Sequence, residues 1–372
     1  RKSFNQEFRA VSDSADFQKN SFFEWVIGAN YLELKESNLK KDDGLYGDPS
    51  DPYGPYASAS ASSSKYKSSN FSVFGNLDYL LSASLKFSIG LRWEDWEADY
   101  SDSLQESFNP TDKMSGGKIS LIKNMTNDTN MYASLAKGYK QGGFNLGLGL
   151  DANATNKNLA YDPEFLTNYE LGINTKLFDS KITFNVVVFY SDREDQQVLI
   201  STQTDPSDPN TFSFLTQNAA EGVNHGLEIN MDMDINQSLS AFVNLGILKT
   251  EIKNWQSRQD LEGRAQAHAP ERSYAVGLNW APTSHTYLAI DFTGKSSFYY
   301  SDSHNNKSKA YMLTNLNLGY VKNNWNYELW ARNIFDEYYS VRGFYFGNEA
   351  PNFIDTLYER HGNPRHIGLS GA

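Results

Sequence analysis

The chain contains no cysteine in 372 residues. That excludes a disulfide framework, a thiolate zinc site and a thiol nucleophile. It also lacks any apolar run approaching the roughly 18 residues of a membrane-crossing helix, and its mean hydropathy is −0.59. Cations are outnumbered, 33 Lys and Arg against 45 Asp and Glu, for a net charge of −12. Without a basic face to neutralise phosphates, nucleic acid is excluded as a partner class. There is no glycine loop followed by Lys and Ser/Thr, no pair of zinc-binding histidines at four-residue spacing, and no nucleophile elbow. The chain therefore reads as a non-enzyme, with no catalytic residue, no metal site and no cofactor. Its first residues also lack the basic and apolar segments of an export signal, and the chain reads as missing its true beginning.

What the sequence has in abundance is two-residue alternation. Leu85, Phe87, Ile89, Leu91 and Trp93 interleave with Lys86, Ser88, Gly90, Arg92 and Glu94, so a strand here has one apolar face and one polar face. Leu227, Ile229, Met231 and Met233 alternate in the same way with Glu228, Asn230, Asp232 and Asp234. Repeated over most of the chain, with charge on the inner positions, this pattern predicts an all-β, transmembrane antiparallel barrel with lipid outside and water inside. Aromatic residues make up 14% of the chain, with 23 Tyr and 23 Phe, enough to furnish the girdles at the two membrane interfaces.

Connections alternate in length. Short ones rich in Asn, Asp, Ser or Pro fall near 81–84, 126–129, 178–181, 236–238, 282–285 and 323–324. Long ones span 35–65, 98–113, 143–161, 201–211, 255–269, 301–309 and 340–363, and barrel physics places these outside the cell and the turns in the periplasm. The Ser/Ala-rich stretch Ala57 to Ser69 reads as a mobile external loop. About 15 strands of roughly ten residues are expected, the first near Ser3 and the last from Pro364 to Ala372. An odd count with a descending first strand calls for an ascending partner upstream.

Local strings add a family likeness. Gln6-Glu7-Phe8-Arg9, Phe23-Glu24-Trp25-Val26, Lys137-Gly138-Tyr139-Lys140-Gln141-Gly142-Gly143-Phe144-Asn145 and Asn168-Tyr169-Glu170-Leu171-Gly172 resemble mid-barrel segments of TonB-dependent outer-membrane receptors. Arg332-Asn333-Ile334-Phe335-Asp336, Tyr338-Tyr339, Arg342-Gly343 and Gly362-Asn363-Pro364-Arg365 resemble the last hairpin of that family. The resemblance implies the C-terminal portion of a 22-stranded plugged barrel, with residues 1–372 forming a partial barrel domain and no counterpart here to the plug or the TonB-contacting box. It further implies an energy-coupled importer of the bacterial outer membrane, with ferric siderophores the leading substrate class and oligosaccharides or vitamins as alternatives. Its partners would be the TonB energising complex, reached through the region not present, outer-membrane lipid and a small extracellular ligand. A passive porin and a soluble all-β carbohydrate-binding or hydrolytic protein remain as readings of the periodicity alone.

Candidate ligand contacts fall in the external connections. Arg342, Phe344, Tyr345 and Phe346 combine a guanidinium with aromatic faces suited to a planar or anionic ligand, and Tyr46, Tyr53 and Tyr56 offer aromatic surface in the first loop. Asp42, Asp43, Asp48 and Asp51 lack calcium-loop spacing and read as a solvated acidic loop. His361 and His366 have no companion carboxylate cluster and read as loop residues. Gly142, Gly143, Gly147 and Gly149 read as positions where the loop bends. Glu228, Asp232, Lys176, Arg92 and Glu94 read as lumen-lining charge.

Overall fold

A computed structural model describes residues 1–12, 22–46, 56–103, 107–145, 160–203, 212–255, 258–302, 304–346, 354 and 356–371. The strands begin with β1 (Lys2–Val11), β2 (Phe23–Tyr46), β3 (Tyr56–Ser82), β4 (Leu85–Asp102), the short β5 (Ser107–Phe108), β6 (Thr111–Asn124) and β7 (Thr129–Lys140). Next come β8 (Gly143–Phe144), β9 (Ala160–Tyr161), β10 (Glu164–Leu177), β11 (Ile182–Gln203), β12 (Phe212–Asn236) and β13 (Leu239–Asn254). The series ends with β14 (Arg272–Thr283), β15 (Thr286–Lys295), β16 (Tyr311–Lys322), β17 (Trp325–Arg332), β18 (Ser340–Phe346), β19 (Thr356–His361) and β20 (His366–Gly371).

Fifteen of these form one antiparallel ladder in the order β1-β2-β3-β4-β6-β7-β10-β11-β12-β13-β14-β15-β16-β17-β20, the number expected from periodicity. β5 extends the edge of β4, while β8–β9 and β18–β19 are separate pairs among the long connections. All six predicted tight turns separate consecutive ladder strands. Phe178, Asp179, Ser180 and Asn323 reach φ of 54 to 65° in two of these turns, the left-handed region that a tight reversal demands. Among the described residues no ladder joins β1 to β20, and β1 is exposed along its whole length.

The period of two sorts the side chains as predicted. Leu91 is 62% exposed on the apolar face, where Leu77, Ile89, Ile119 and Leu135 stand opposite one another on successive strands. The other face carries Ser72, Glu94, Ser120 and Ser134, all buried on the concave side. Among the described residues no helix is long and apolar enough to cross a membrane. On the polar face several aromatic rings lie flat over a cross-strand glycine. Tyr132 covers Gly172 and Tyr287 covers Gly319, with a Cβ built on either glycine falling 2.2 or 1.9 Å from the ring. Glycine is required at both positions by this close approach.

Two elements depart from expectation. Within the segment 35–65, read as a loop with a mobile Ser/Ala tract, residues 35–46 and 56–65 instead continue the ladder, from Lys35↔Lys67 to Tyr46↔Tyr56. Backbone pairing needs no apolar face, and alternating small side chains do not obstruct it, so the hairpin rises beyond the apolar belt on main-chain hydrogen bonds. The second departure is a bulge in β11 between Arg193 and Gln197, where Asp195 adopts φ 53°. Below it Val188 and Tyr190 face outward; above it Leu199 is exposed and Val198 is buried, so the facing residues change parity. Glu164 pins the bulge, bonding the Arg193 guanidinium (Nε to Oε1 3.0 Å) and accepting the Gln197 backbone N–H at 2.9 Å.

Candidate functional site

The inner wall carries polar clusters in which carboxylates gather several donors, while the buried Asn70 Oδ1 and Ser72 Oγ find no partner among the described residues. Arg92 donates to Glu94 Oε2 from Nη2 at 2.7 Å and from Nε at 2.9 Å. Asn70 donates to Glu94 Oε1 at 2.5 Å, and Tyr139 Oη donates to Oε2 at 3.1 Å. Lower down, Asp78 accepts from Ser88 at 2.5 Å, Asn76 at 3.1 Å and Lys86 at 3.3 Å. Each carboxylate is held by several donors, so these charges build a rigid wall and leave no poised acid or base.

Toward the long connections the wall turns aromatic. Phe144 stacks on Phe108 at 5.3 Å and 15°, and packs on Tyr100 at 5.3 Å and Tyr66 at 6.1 Å. Buried Trp96, Ala98 and Met114 support the cluster, and Trp96 Nε1 donates to Ser68 at 2.8 Å. Gly142 and Gly143, read as bending points, are instead close-packing positions. A Cβ on Gly142 would stand 2.5 Å from the Tyr161 carbonyl oxygen, and one on Gly143 2.5 Å from its hydroxyl. Burial in turn pushes the Tyr161 phenol above its ordinary value.

At the other end of the ladder, the Asn333-Ile334-Phe335-Asp336 string turns the chain out of β17. Asn333 and Asp336 adopt φ of 49° and 57°, conformations that Asn and Asp tolerate better than other side chains. Asn333, 4% exposed, donates to the carbonyls of Glu337 at 2.9 Å and Asn363 at 3.2 Å, and accepts from Glu337 N at 2.8 Å. Asp336 accepts from Arg365 N at 2.8 Å. The motif thus ties the outgoing strand to the returning one and sets the base of the β18–β19 hairpin. Asn333→Ala is expected to cost about 1–3 kcal/mol, the penalty for orphaning buried backbone partners. Loss of amide protection confined to residues 333–366 would verify it; protection unchanged there would refute the assignment.

One face of this hairpin docks on the connection between β15 and β16. Gly343 lies against the Tyr300 ring, Glu359 accepts from Tyr300 Oη, and Tyr345 meets His304 edge-on at 4.8 Å. Burial, with the Glu359 bond next, pushes the Tyr300 phenol up to about 12. The connection is itself pinned from the neighbouring loop by Arg264, whose side chain is 8% exposed. Its guanidinium reaches Asp302 Oδ1, Asn305 Oδ1 and the His304 carbonyl at 2.9 Å each, and the Ser301 carbonyl at 3.1 Å. It also lies 4.4 Å from the Tyr299 ring centre, while Lys307 stands 4.2 Å from the same ring. Trp255, Leu261, Ile252, Val198 and Ala220 form a small apolar core beneath that loop.

Burial, and then Arg264, holds His304 below its ordinary 6.5; burial, and then Arg342, does the same to His268. Both rings stay neutral in the folded loops, so the unfolded chain binds more protons as pH falls through 6.5. Docking is therefore complete above that value and weakens as pH falls toward the depressed folded values. Amide exchange of residues 340–346 is expected to speed up between pH 7.5 and 5.5 relative to β4, after correction for intrinsic rates; no differential change would contradict this.

The candidate contacts fall into two groups. Arg342 and Phe344 share one exposed face of the hairpin, Tyr345 is on the other face against His304, and Phe346 ends β18 with its side chain outside the described residues. Tyr46 and Tyr56 face each other in register at the tip of β2–β3, on a different hairpin; their side chains and all of Tyr53 lie outside the described residues. So do Asp48, Asp51, Gly147, Gly149 and the side chain of Asp42. His361 accepts or donates at Tyr338 Oη, 2.6 Å away, and Ser340 Oγ, 3.2 Å away, whereas His366 pairs with Arg332 on the ladder. Among the described residues no cluster of three or more metal-ligating side chains occurs.

Sequence reading missed Tyr358 and Arg360. The hairpin register sets Arg360 directly opposite Arg342 and Tyr358 opposite Phe344, whose rings stack at 5.7 Å and 21°. No carboxylate forms an ion pair with either arginine among the described residues. Like charges in direct cross-strand register repel, and an anion between the two guanidinium groups would relieve that repulsion.

Known proteins give this architecture a lineage. Residues 2–334 match the family described as TonB dependent receptor-like, beta-barrel. The pesticin receptor of Yersinia pestis is 23% identical over 242 residues, 63% of this chain and 33% of that protein. Among solved structures, the chain is similar to the ferric yersiniabactin uptake receptor FyuA from Yersinia pestis, with TM-score 0.77 and 17% identity over 99% of this chain and 53% of that one. It is also similar to the siderophore receptor PiuA from Acinetobacter baumannii, with TM-score 0.73 and 15% identity over 99% and 55%. The chain spans about half the length of these solved neighbours and a third of the curated relative. The family and these neighbours are receptors, not enzymes. With a match that runs from β1 to the Asn333-Ile334 turn, the chain belongs to the TonB-dependent receptor β-barrel family.

Proposed function

We propose that this chain is the ligand-facing part of the barrel wall of an outer-membrane receptor for energy-coupled uptake of an anionic ferric chelate of the siderophore class. The observation that carries the reading is the Arg342–Arg360 pair, in direct cross-strand register and without an ion pair among the described residues, beside the stacked Phe344–Tyr358 pair on the hairpin's exposed face. Two guanidinium forks at one register position suit a bidentate oxyanion, and the adjoining rings suit the planar arms of a chelate. The names of the neighbours, receptors for ferric yersiniabactin and siderophores, agree with that chemistry. Uptake needs no cofactor bound to the barrel. In this reading it draws force from the TonB energising complex.

The experiment is a binding titration with ferric chelates of different charge. Arg342→Ala with Arg360→Ala is expected to weaken an anionic ferric catecholate or citrate complex by roughly tenfold to a hundredfold, the loss of charge-assisted hydrogen bonds at a partly exposed site. A neutral ferric hydroxamate should lose far less. Equal losses for both charge classes, or none for either, would refute the reading.

A further inference from the structure

The outward face carries a feature that ligand uptake does not use. Along one register row, Phe87, Leu121, Ala133, Leu171 and Val188 stand opposite one another on β4, β6, β7, β10 and β11. The four neighbours are large and Ala133 is a methyl group, so the row is notched at its centre. The next row contains Ile119, Leu135, Tyr169 and Tyr190, which wall the notch on one side. The resulting concavity measures about 630 Å³, within the roughly 300–1,000 Å³ of sites that enclose a small amphiphile. Its floor is the sheet itself, where Ser120, Ser134, Glu170 and Phe189 also border it.

The notch is polar at one end only. β10 descends from Glu164 and β11 ascends from Ile182, so Tyr169 and Tyr190 stand toward the long connections relative to Leu171 and Val188. Tyr190 stacks on His225 at 6.2 Å and 21°. The Nδ1 atom of His225 is buried without a hydrogen-bond partner among the described residues. Lys249, exposed, stands opposite His225 on β13. Two phenols, an imidazole and an ammonium therefore follow one another along one register row beside a concavity lined by aliphatic and aromatic carbon, and Tyr is a residue type enriched at membrane interfaces.

We propose that this notch binds one lipid of the outer leaflet, an acyl chain lying over Ala133 and an anionic head meeting the Tyr190–His225–Lys249 rim. Continuity with the lipid-facing surface and complementarity of charge select this occupant. The inference rests on the membrane-barrel fold and is independent of the chelate, so lipid retention and ligand binding can fail separately.

Native mass spectrometry of the protein taken from membranes in mild detergent, then titrated with dimyristoylphosphatidylglycerol or dimyristoylphosphatidylcholine, tests it. One phosphatidylglycerol is expected to survive activation that strips the others, and Ala133→Phe should lower its occupancy roughly tenfold or more by overfilling the notch. Ala133→Gly should retain it, and His225→Ala with Lys249→Ala should abolish the preference for the anionic lipid. If Ala133→Phe does not fold, Leu121→Trp covers the notch from the neighbouring strand and should give the same loss. Equal occupancy in the folded wild type and filled variant overturns the proposal. So does a species of twice the mass that only the filled variants lose, which would assign the face to a second copy.

Discussion

Ile89→Arg is expected to cost about 2–4 kcal/mol of stability in a bilayer, whereas Ser88→Lys on the adjacent position should cost less than about 1 kcal/mol. Ile89 is the central member of the outward run Leu85 to Trp93, with Leu77 and Ile119 opposite it on the flanking strands. A guanidinium there has hydrocarbon on every side except the sheet, and no acid within the row to meet it. Ser88 points the other way and already donates to Asp78 at 2.5 Å beside Lys86. A cation placed there exchanges one hydrogen bond for an ion pair in a wet lumen. Denaturant unfolding from lipid vesicles measures both costs, and a larger penalty for Ser88→Lys than for Ile89→Arg would reverse the assignment of faces.

Arg264→Ala should free the connection around 296–309 and the hairpin docked on it, at a local cost of about 3–5 kcal/mol, as for removal of one partner from a buried ion pair. Four acceptors converge on that guanidinium, among them Asp302 and the His304 carbonyl, and the ring of Tyr299 packs against it. Alanine leaves those groups without a donor and opens a void beside Tyr299. Lysine can satisfy only part of the set, because a single ammonium cannot span the fork, so Arg264→Lys should fall between the two. Proteolysis at residues 296–309 and 340–361 should accelerate while the ladder strands β4 to β16 keep their protection. A uniform loss of protection across the ladder would show Arg264 acting on the barrel as a whole, and no loss would remove it as a pin.

Much of this was legible in the residues because two facts of strand physics act at short range. Side chains alternate with period two, so Phe87 to Trp93 declared their faces without reference to any partner. Tight reversals need Asn, Asp, Ser or Pro, so the six turns could be located and, from them, fifteen strands counted. The Arg332 to Asp336 string was recognisable as the approach to the last hairpin, and the structure supplies its cause in the left-handed Asn333 and Asp336, a conformation that Asn and Asp tolerate better than most side chains.

Other features depended on which strands meet and in what register, information that no single segment contains. The Ser/Ala tract at 57–69 has no apolar signal of its own; pairing with 33–45 makes it a strand. The bulge at Arg193 to Gln197 reverses facing within β11, and it is stabilised by Glu164, a residue on another strand. Arg360 and Tyr358 are unremarkable until register sets them opposite Arg342 and Phe344, and Ala133 is a notch only because its four row neighbours on other strands are large. The sequence by itself determined the two faces, the turns and the membrane-barrel class, since each follows from alternation within a strand. Only the tertiary structure decided the charged and apolar sites, since those are built from neighbours on different strands, brought together by pairing and register on which local pattern has no hold.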